Sequence, residues 1–216
     1  MLAMMRTRAI CCISVTVAAA CFAAAAFAFA PEKTVNRAVL KAAEVGPGSI
    51  VRDIPHGTDV RGQVTLDMCG FGFKSERRRL ARVQVTFIRN DGTGPFLSNE
   101  VVDYKQGWAK KAMKELRKAI ATCPKGFVKS TIPGAGMIKN RFDPIKSSKF
   151  LPDSIGVIDH ITEKLPHKKK PLRFDSLLVY QAHGNLLSGV YSFGVARLPI
   201  VVHAANQSAL NLKKLP

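Results

Sequence analysis

Alternation of apolar and polar positions marks the strand candidates of this chain. From Gln63 to Met68 the residues Val64, Leu66 and Met68 share one side, which predicts a strand running into Cys69. The stretch LARVQVTFIR, Leu80 to Arg89, alternates again through Val83, Val85 and Phe87. Asn90-Asp91-Gly92-Thr93-Gly94 reads as a turn, and FLSNEVVDY after it as an extended or partly helical piece. Phe174–Ala182 and Leu186–Phe193 flank His183-Gly184-Asn185, the pattern of a hairpin. Leu198–Val202 is expected to extend the sheet and Ala204–Leu212 to form a terminal helix. Residues 124–172 are rich in Pro, Gly, Lys and Ser, with short apolar pieces such as IGVIDHI, and predict loops with one or two irregular strands. Near the start, residues 29–36 read as a short tether. NRAVLKAAE, Asn36 to Glu44, reads as a helix that Gly46-Pro47-Gly48 stops.

The 3.6-residue period is clearest from Lys105 to Thr122. Trp108, Ala109, Ala112, Met113, Leu116, Ala119 and Ile120 fall on one side, and Lys110, Lys111, Lys114, Arg117 and Lys118 on the other. Lys114 and Lys118 repel each other at i, i+4, relieved by Glu115 beside Lys111 and Lys118. Cys123 continues the apolar side, so the helix delivers it to the core face, where the end of the Cys69 strand could meet it. Pro124 stops the helix.

Charge changes the picture next. The 216 residues carry 33 Lys+Arg against 15 Asp+Glu, a net charge of +18. Such a balance speaks of partners, not of fold: nucleic acid, anionic lipid or acidic envelope polymers. The first residues narrow the choice. MLAMMRTR is a short positive segment, and AICCISVTVAAACFAAAAFAFA is a charge-free apolar run ending in A-x-A sites, as in a secretory signal peptide over residues 1–28. Cleavage after Ala28 is preferred, because Pro31 would hinder the alternative site, and the mature chain then begins at Phe29. Two other readings stay open: retention of the run as a membrane anchor, or acylation of Cys21, which a loose lipobox precedes. Export makes nucleic acid an improbable partner and leaves the membrane as one only through the uncleaved signal or acylated Cys21. The expected partner is then an anionic envelope polymer or an undefined small ligand, with no cofactor, and the location is secreted or cell-surface.

Of five cysteines, Cys11, Cys12 and Cys21 lie in the leader, so an oxidising compartment leaves Cys69 and Cys123. One disulfide is the simpler reading, worth about 4 kcal/mol by chain entropy; two buried free thiols are the alternative. The search for chemistry finds little. The histidines His56, His160, His167, His183 and His203 have no metal spacing. Neither a G-x-S-x-G elbow nor a P-loop is present. A triad from Ser75 with a distant His and Asp is the residual enzymatic option, and the chain is read as non-enzymatic. The basic groups Arg77-Arg78-Arg79, Lys110–Lys118 and Lys168-Lys169-Lys170 are each expected to be solvated faces that together give weak, salt-sensitive attraction to anions.

VLKAAEVGPGSI, DMCGFGFKSERRRLARVQVTF, SNEVVDYKQGWAKKAMKELRKAIATCP and GNLLSGVYSFG follow one another in an order that resembles exported actinobacterial domains similar to the extracellular sensor domain of PknH-type receptor kinases. The resemblance spans roughly residues 38 to 210. It implies a single α+β domain over residues 37–216: a twisted, mainly antiparallel sheet with packed helices and a cleft for an undefined ligand. The chain departs from that pattern in two ways. A second disulfide has no cysteines here, and Trp108 stands where a second glycine of Y-x-x-G-G-A is usual, narrowing the space beside the helix start.

Overall fold

The computed structural model describes residues 30–91, 96–131, 136–166, 168–193 and 197–215. The leader, its cleavage site and Cys11, Cys12 and Cys21 lie outside them, as do His167 and most of the turn predicted after Asn90.

Nine strands form one antiparallel sheet with four helices. In chain order the strands are β1 (Ser49–Asp53), β2 (Arg79–Arg89), β3 (Leu97–Tyr104), β4 (Val128–Lys129), β5 (Met137–Lys139), β6 (Phe142–Pro144), β7 (Ile155–Lys164), β8 (Leu172–His183) and β9 (Leu186–Phe193). The helices are α1 (Ala30–Ala38), α2 (Ala42–Val45), α3 (Trp108–Ala121) and α4 (Leu198–Lys213). A 3-10 turn over Lys74–Arg78 leads into β2. The strand order is β1-β2-β3-β9-β8-β7-β5-β4, with β6 pairing β7. The β8–β9 hairpin pairs His183 with Leu186, so Gly184 and Asn185 alone make the turn, with Gly184 at φ 57°.

Period-two alternation divides the core between the two faces of this sheet. Val83, Val85, Phe87, Val101, Val179 and Val190 point to one face, where Val201, Ala204, Ala205 and Leu212 of α4 and Val35 and Ala38 of α1 cover them. Polar groups fix that contact: Ser208 Oγ donates to Ser188 Oγ at 2.7 Å and Gln181 Nε2 to the Ala205 carbonyl at 2.7 Å. Val102, Tyr104, Leu178, Tyr180, Leu187 and Tyr191 point to the other face. Helix α3 covers one part of it with Ala109, Ala112, Met113 and Leu116, as its amphipathic pattern dictates. The irregular segment through Leu66, Met68, Cys69 and Phe73 covers more. A Cys69–Cys123 disulfide, with Cα atoms 5.4 Å apart, ties that segment to the residues after α3.

Several expectations are corrected. Residues 29–36 are not a tether from Ala30 onward, because α1 runs over Ala30–Ala38 and buries Val35. The helix expected over Asn36–Glu44 is broken, and only Ala42–Val45 resumes it before Gly46. Gln63–Met68 pairs with no strand; Leu66 and Met68 are buried by packing alone, without a ladder. Residues 124–172 hold four strands, among them the ten-residue β7, which contains IGVIDHI. Leu198–Val202 is the first turn of α4 and adds no strand: Pro199 occupies a first-turn position, where its missing N–H has no partner to lose. The β-branched run Ile200-Val201-Val202 yields to the tertiary packing of Val201 against the sheet.

Candidate functional site

Helix α3 covers only part of its face. Beyond it, bordered by the 60–73 segment, Ser130, Ile138 and Asn140, lies a cavity of about 280 Å³. That volume is near the lower end of small-molecule sites, about 300–1,000 Å³. Strand register builds its floor. Gln84 pairs with Glu100, Glu100 with Gly189, and Gly189 with Tyr180; one step along, Tyr191 pairs with Leu178, and beyond that Ser176 pairs with Asp159. Gly189 has a packing reason, since a Cβ there would stand 3.1 Å from the Tyr180 ring and 3.2 Å from that of Tyr191. Ile161, Phe174 and Leu178 supply apolar wall from the sheet. Val64, Thr65 and Asp67, with Ser130, Ile138 and Asn140, complete the lining.

A buried ion pair stiffens the floor. Arg82 Nε lies 2.6 Å from Glu100 Oε1, with both side chains at most 3% exposed. Glu100 also accepts from Thr65 Oγ1 at 2.8 Å and from the Tyr191 hydroxyl at 2.9 Å, and Gln84 Nε2 donates to that hydroxyl. Two lining residues, Thr65 and Tyr191, are therefore held by one carboxylate. Burial raises the Tyr191 phenol well above its ordinary range, so it stays a neutral donor.

Asp159 is the singular group of the site. It is 3% exposed, and Asn140 Nδ2 donates to its Oδ2 at 2.7 Å. Its Oδ1 and the Oδ1 of Asn140 are buried without a hydrogen-bond partner among the described residues. Burial, opposed by the Asn140 hydrogen bond, pushes its carboxyl up to about 7. The unfolded chain releases this proton near 3.8, so stability from the neutral form is complete below that pH and is lost as pH rises through about 7. Asp103, raised to about 6 by burial, and His160, raised by hydrogen bonds to Asp143 and Asp175, act in the same direction. Asp159→Asn is accordingly expected to stabilise the domain by about 1–3 kcal/mol at pH 8 and much less at pH 4. Urea midpoints at the two pH values measure this; equal shifts at both would place an uncharged interaction at the origin.

The basic residues singled out in sequence do not form one surface. Lys110, Lys111, Lys114 and Lys118 are exposed on α3, and Arg117 is half-exposed. Lys168, Lys169 and Lys170 are exposed just before β8 begins, whereas Lys114 and Arg117 line a groove with Ala182 and Gly184 at its far end. A twelve-residue strand at about 3.3 Å per residue separates the clusters. Arg117 donates to the Asp153 carbonyl and lies 3.7 Å from that carboxylate. Glu115 does not relieve the lysines; its carboxylate accepts from the Lys74 and Ser75 N–H groups and the Ser75 hydroxyl. That hydroxyl, the residual nucleophile candidate, is buried on Glu115 at 2.7 Å. Arg79 leaves the arginine cluster for the interior, donating to the Val60 and Gln63 carbonyls and Thr65 Oγ1. Nor is the stripe free of aromatics: Trp108 lies 4.2 Å from Lys111 Nζ and 4.8 Å from the Arg78 guanidinium, measured from the ring centroid.

Asp159 and Asn140 escaped notice in the sequence, although a signal for Asp159 was there. In IGVIDHIT the inward positions read Ile155, Val157, Asp159, Ile161, an ionisable residue in a buried register. Asn140 had none, because its role depends on a contact across 19 residues. Among the described residues no group of three or more His, Cys, Asp or Glu side chains is placed to hold a metal ion.

No protein-family model matches the chain, and no curated protein does. Among solved structures, the fold matches the extracellular domain of PknH from Mycobacterium tuberculosis with a TM-score of 0.54 at 17% identity, over 85% of this chain and 98% of that one. The α+β architecture expected from the resemblance is thereby found, with the Cys69–Cys123 disulfide in place.

Proposed function

We propose that the chain is an exported, non-catalytic ligand-binding domain of the sensor kind, which holds a small molecule of the cell envelope in the cavity between β7, β8 and the 60–73 segment. The cavity itself carries this reading: apolar walls, a rigid polar floor and two unpartnered buried oxygens are what a ligand site needs. The leader-like residues 1–28, the disulfide and a fold shared with an extracellular domain support a place outside the cytoplasm. Envelope extract passed over immobilised protein tests it. A small molecule retained by the wild type should be lost from Ile161→Trp, which fills the cavity from its half-exposed wall. Equal retention by both would put binding elsewhere. An N-terminus at Phe29 on the natural protein checks the export half, and a lipid on Cys21 or an uncleaved chain would replace it.

A second reading, attachment to anionic envelope polymers or lipid headgroups, is favoured by one observation: Trp108 flanked by Arg78 and Lys111, with Lys74 and Arg77 beside it. On this reading Lys110, Lys111, Lys114, Arg117 and Lys118, and separately Lys168, Lys169 and Lys170, add diffuse attraction without a specific site. Lys110→Glu with Lys114→Glu should weaken binding to anionic vesicles or teichoic-type polymer without unfolding the domain, and binding should fall steeply between low and physiological salt. Salt-insensitive binding abolished by Lys114→Ala alone would mark a specific site instead.

A further inference from the structure

The cavity has the opposite chemistry to the surface around it. In a chain with 33 Lys+Arg, its lining includes three carboxylates, Asp67, Asp159 and Glu163, and no Lys, Arg or His among the described residues. Two of these are occupied by the protein. Asp67 accepts from Ser130 Oγ and from the N–H and hydroxyl of Thr131, and Glu163 Oε1 accepts from the Gly136 N–H at 3.1 Å. Asp159 is different. Asn140 Nδ2 donates to Asp159 Oδ2, and the remaining oxygen of each residue is left as a buried acceptor with no donor among the described residues. A buried acceptor without a donor is costly to maintain, so such a pair calls for a donor from outside.

Two unpartnered acceptors on hydrogen-bonded lining residues, with a carboxylate as one of them, select among head groups. An ammonium brings three donors and no acceptor, and its charge complements Asp159. A hydroxyl brings one donor and no charge to complement Asp159. A carboxylate would face like charge in a low-dielectric pocket. Ile138, Ile161 and Phe174 offer the rest of the ligand only apolar contact.

Resting on the reading of the cavity as the ligand site, we infer that it takes a small amphiphilic amine, with a primary ammonium head on Asp159 Oδ1 and Asn140 Oδ1 and an apolar body against Ile138, Ile161 and Phe174. The strongly positive surface then plays no part in capture. It repels such a ligand at long range, and the site gains its selectivity only where the cavity walls exclude water.

Hexylammonium, 1-hexanol and hexanoate share one body and differ in head charge, and amide chemical-shift titrations at neutral pH follow each on the whole domain. Wild type should bind hexylammonium about tenfold more tightly than the other two, an advantage that Asp159→Asn removes. Ile161→Trp should weaken every probe that enters the cavity. Raising salt should leave hexylammonium affinity level or increase it, since salt screens the repelling surface. If all three probes bind alike and Ile161→Trp weakens all, the cavity is the ligand site and the head-group inference is wrong. A hexylammonium preference that survives Asp159→Asn likewise overturns the inference. Binding indifferent to Ile161→Trp, or no hexylammonium binding, as when water alone bridges the two oxygens, overturns the inference; the former also overturns the ligand-site reading.

Discussion

Arg82→Ala should destabilise the domain by about 3–5 kcal/mol, the usual consequence of leaving one member of a buried ion pair alone. Glu100 is 2% exposed and would keep Thr65 and Tyr191 as donors but lose the cation paired directly with it. The guanidinium also holds the 54–62 loop, donating to the carbonyls of His56 at 2.9 Å and Asp59 at 3.2 Å, and it meets Gln84 Oε1. Urea denaturation at neutral pH should show the midpoint falling with little change in slope. Adding Glu100→Gln to Arg82→Ala should recover part of the loss, because a neutral amide tolerates the site better than an unpaired carboxylate. A loss below about 1 kcal/mol would mean that water reaches Glu100 in the folded protein and that the cavity floor is not held in the way described.

The second large effect is that of the disulfide. Cys123→Ala is expected to lower stability by about 2–4 kcal/mol, less than the ideal loop-closure value when the reduced chain stays compact. Non-reducing peptide mapping should recover Cys69 linked to Cys123; full alkylation of both thiols in the native, non-reduced protein would contradict it. The local backbone gives the bond a further task. Cys69 (φ 58°) and Gly70 (φ 65°) both take left-handed conformations in a tight turn closed by the Phe71 N–H on the Met68 carbonyl. A Cβ on Gly70 would lie 2.8 Å from the Lys129 carbonyl, so only glycine lets the 60–73 segment press against β4. The same segment supplies Val64, Thr65 and Asp67 to the cavity. Loss of the disulfide should therefore weaken ligand binding as well as stability.

What could be read from the sequence was local and periodic. Helix α3 followed from its 3.6-residue pattern, β2 from alternation through Val83, Val85 and Phe87, and β8 and β9 from two strand-like runs flanking His183-Gly184-Asn185. The disulfide followed from counting: setting aside the leader-like residues 1–28 left two cysteines, and α3 aimed one of them at the core. Elsewhere the pattern misled for identifiable reasons. The alternating Val64-Leu66-Met68 stretch buries Leu66 and Met68 without a strand, since packing under a disulfide rewards burial whether or not a neighbour offers a ladder. Ile200-Val201-Val202 reads as a strand but lies in α4, whose apolar stripe against the sheet outweighs β-propensity.

The candidate site belonged almost wholly to the tertiary structure. Charge counting pointed to anions, because it sums over the chain and cannot see that lysines stand outside while Asp67, Asp159 and Glu163 turn toward one cavity. Arg79 and Glu115 show the same limit: each sits in a charged run, yet one braces the 60–65 backbone and the other caps the turn at Ser75. Sequence by itself determined the apolar faces of β2 and α3, the β8–β9 hairpin, and that Cys69 and Cys123 are the candidates for a bond. Only the folded chain decided where the sheet is left uncovered, and that Asn140 and Asp159 meet there with an unpartnered oxygen each. The reason is physical: periodicity is a property of neighbouring residues, whereas a cavity is what remains when segments far apart in the chain fail to close over the same strands.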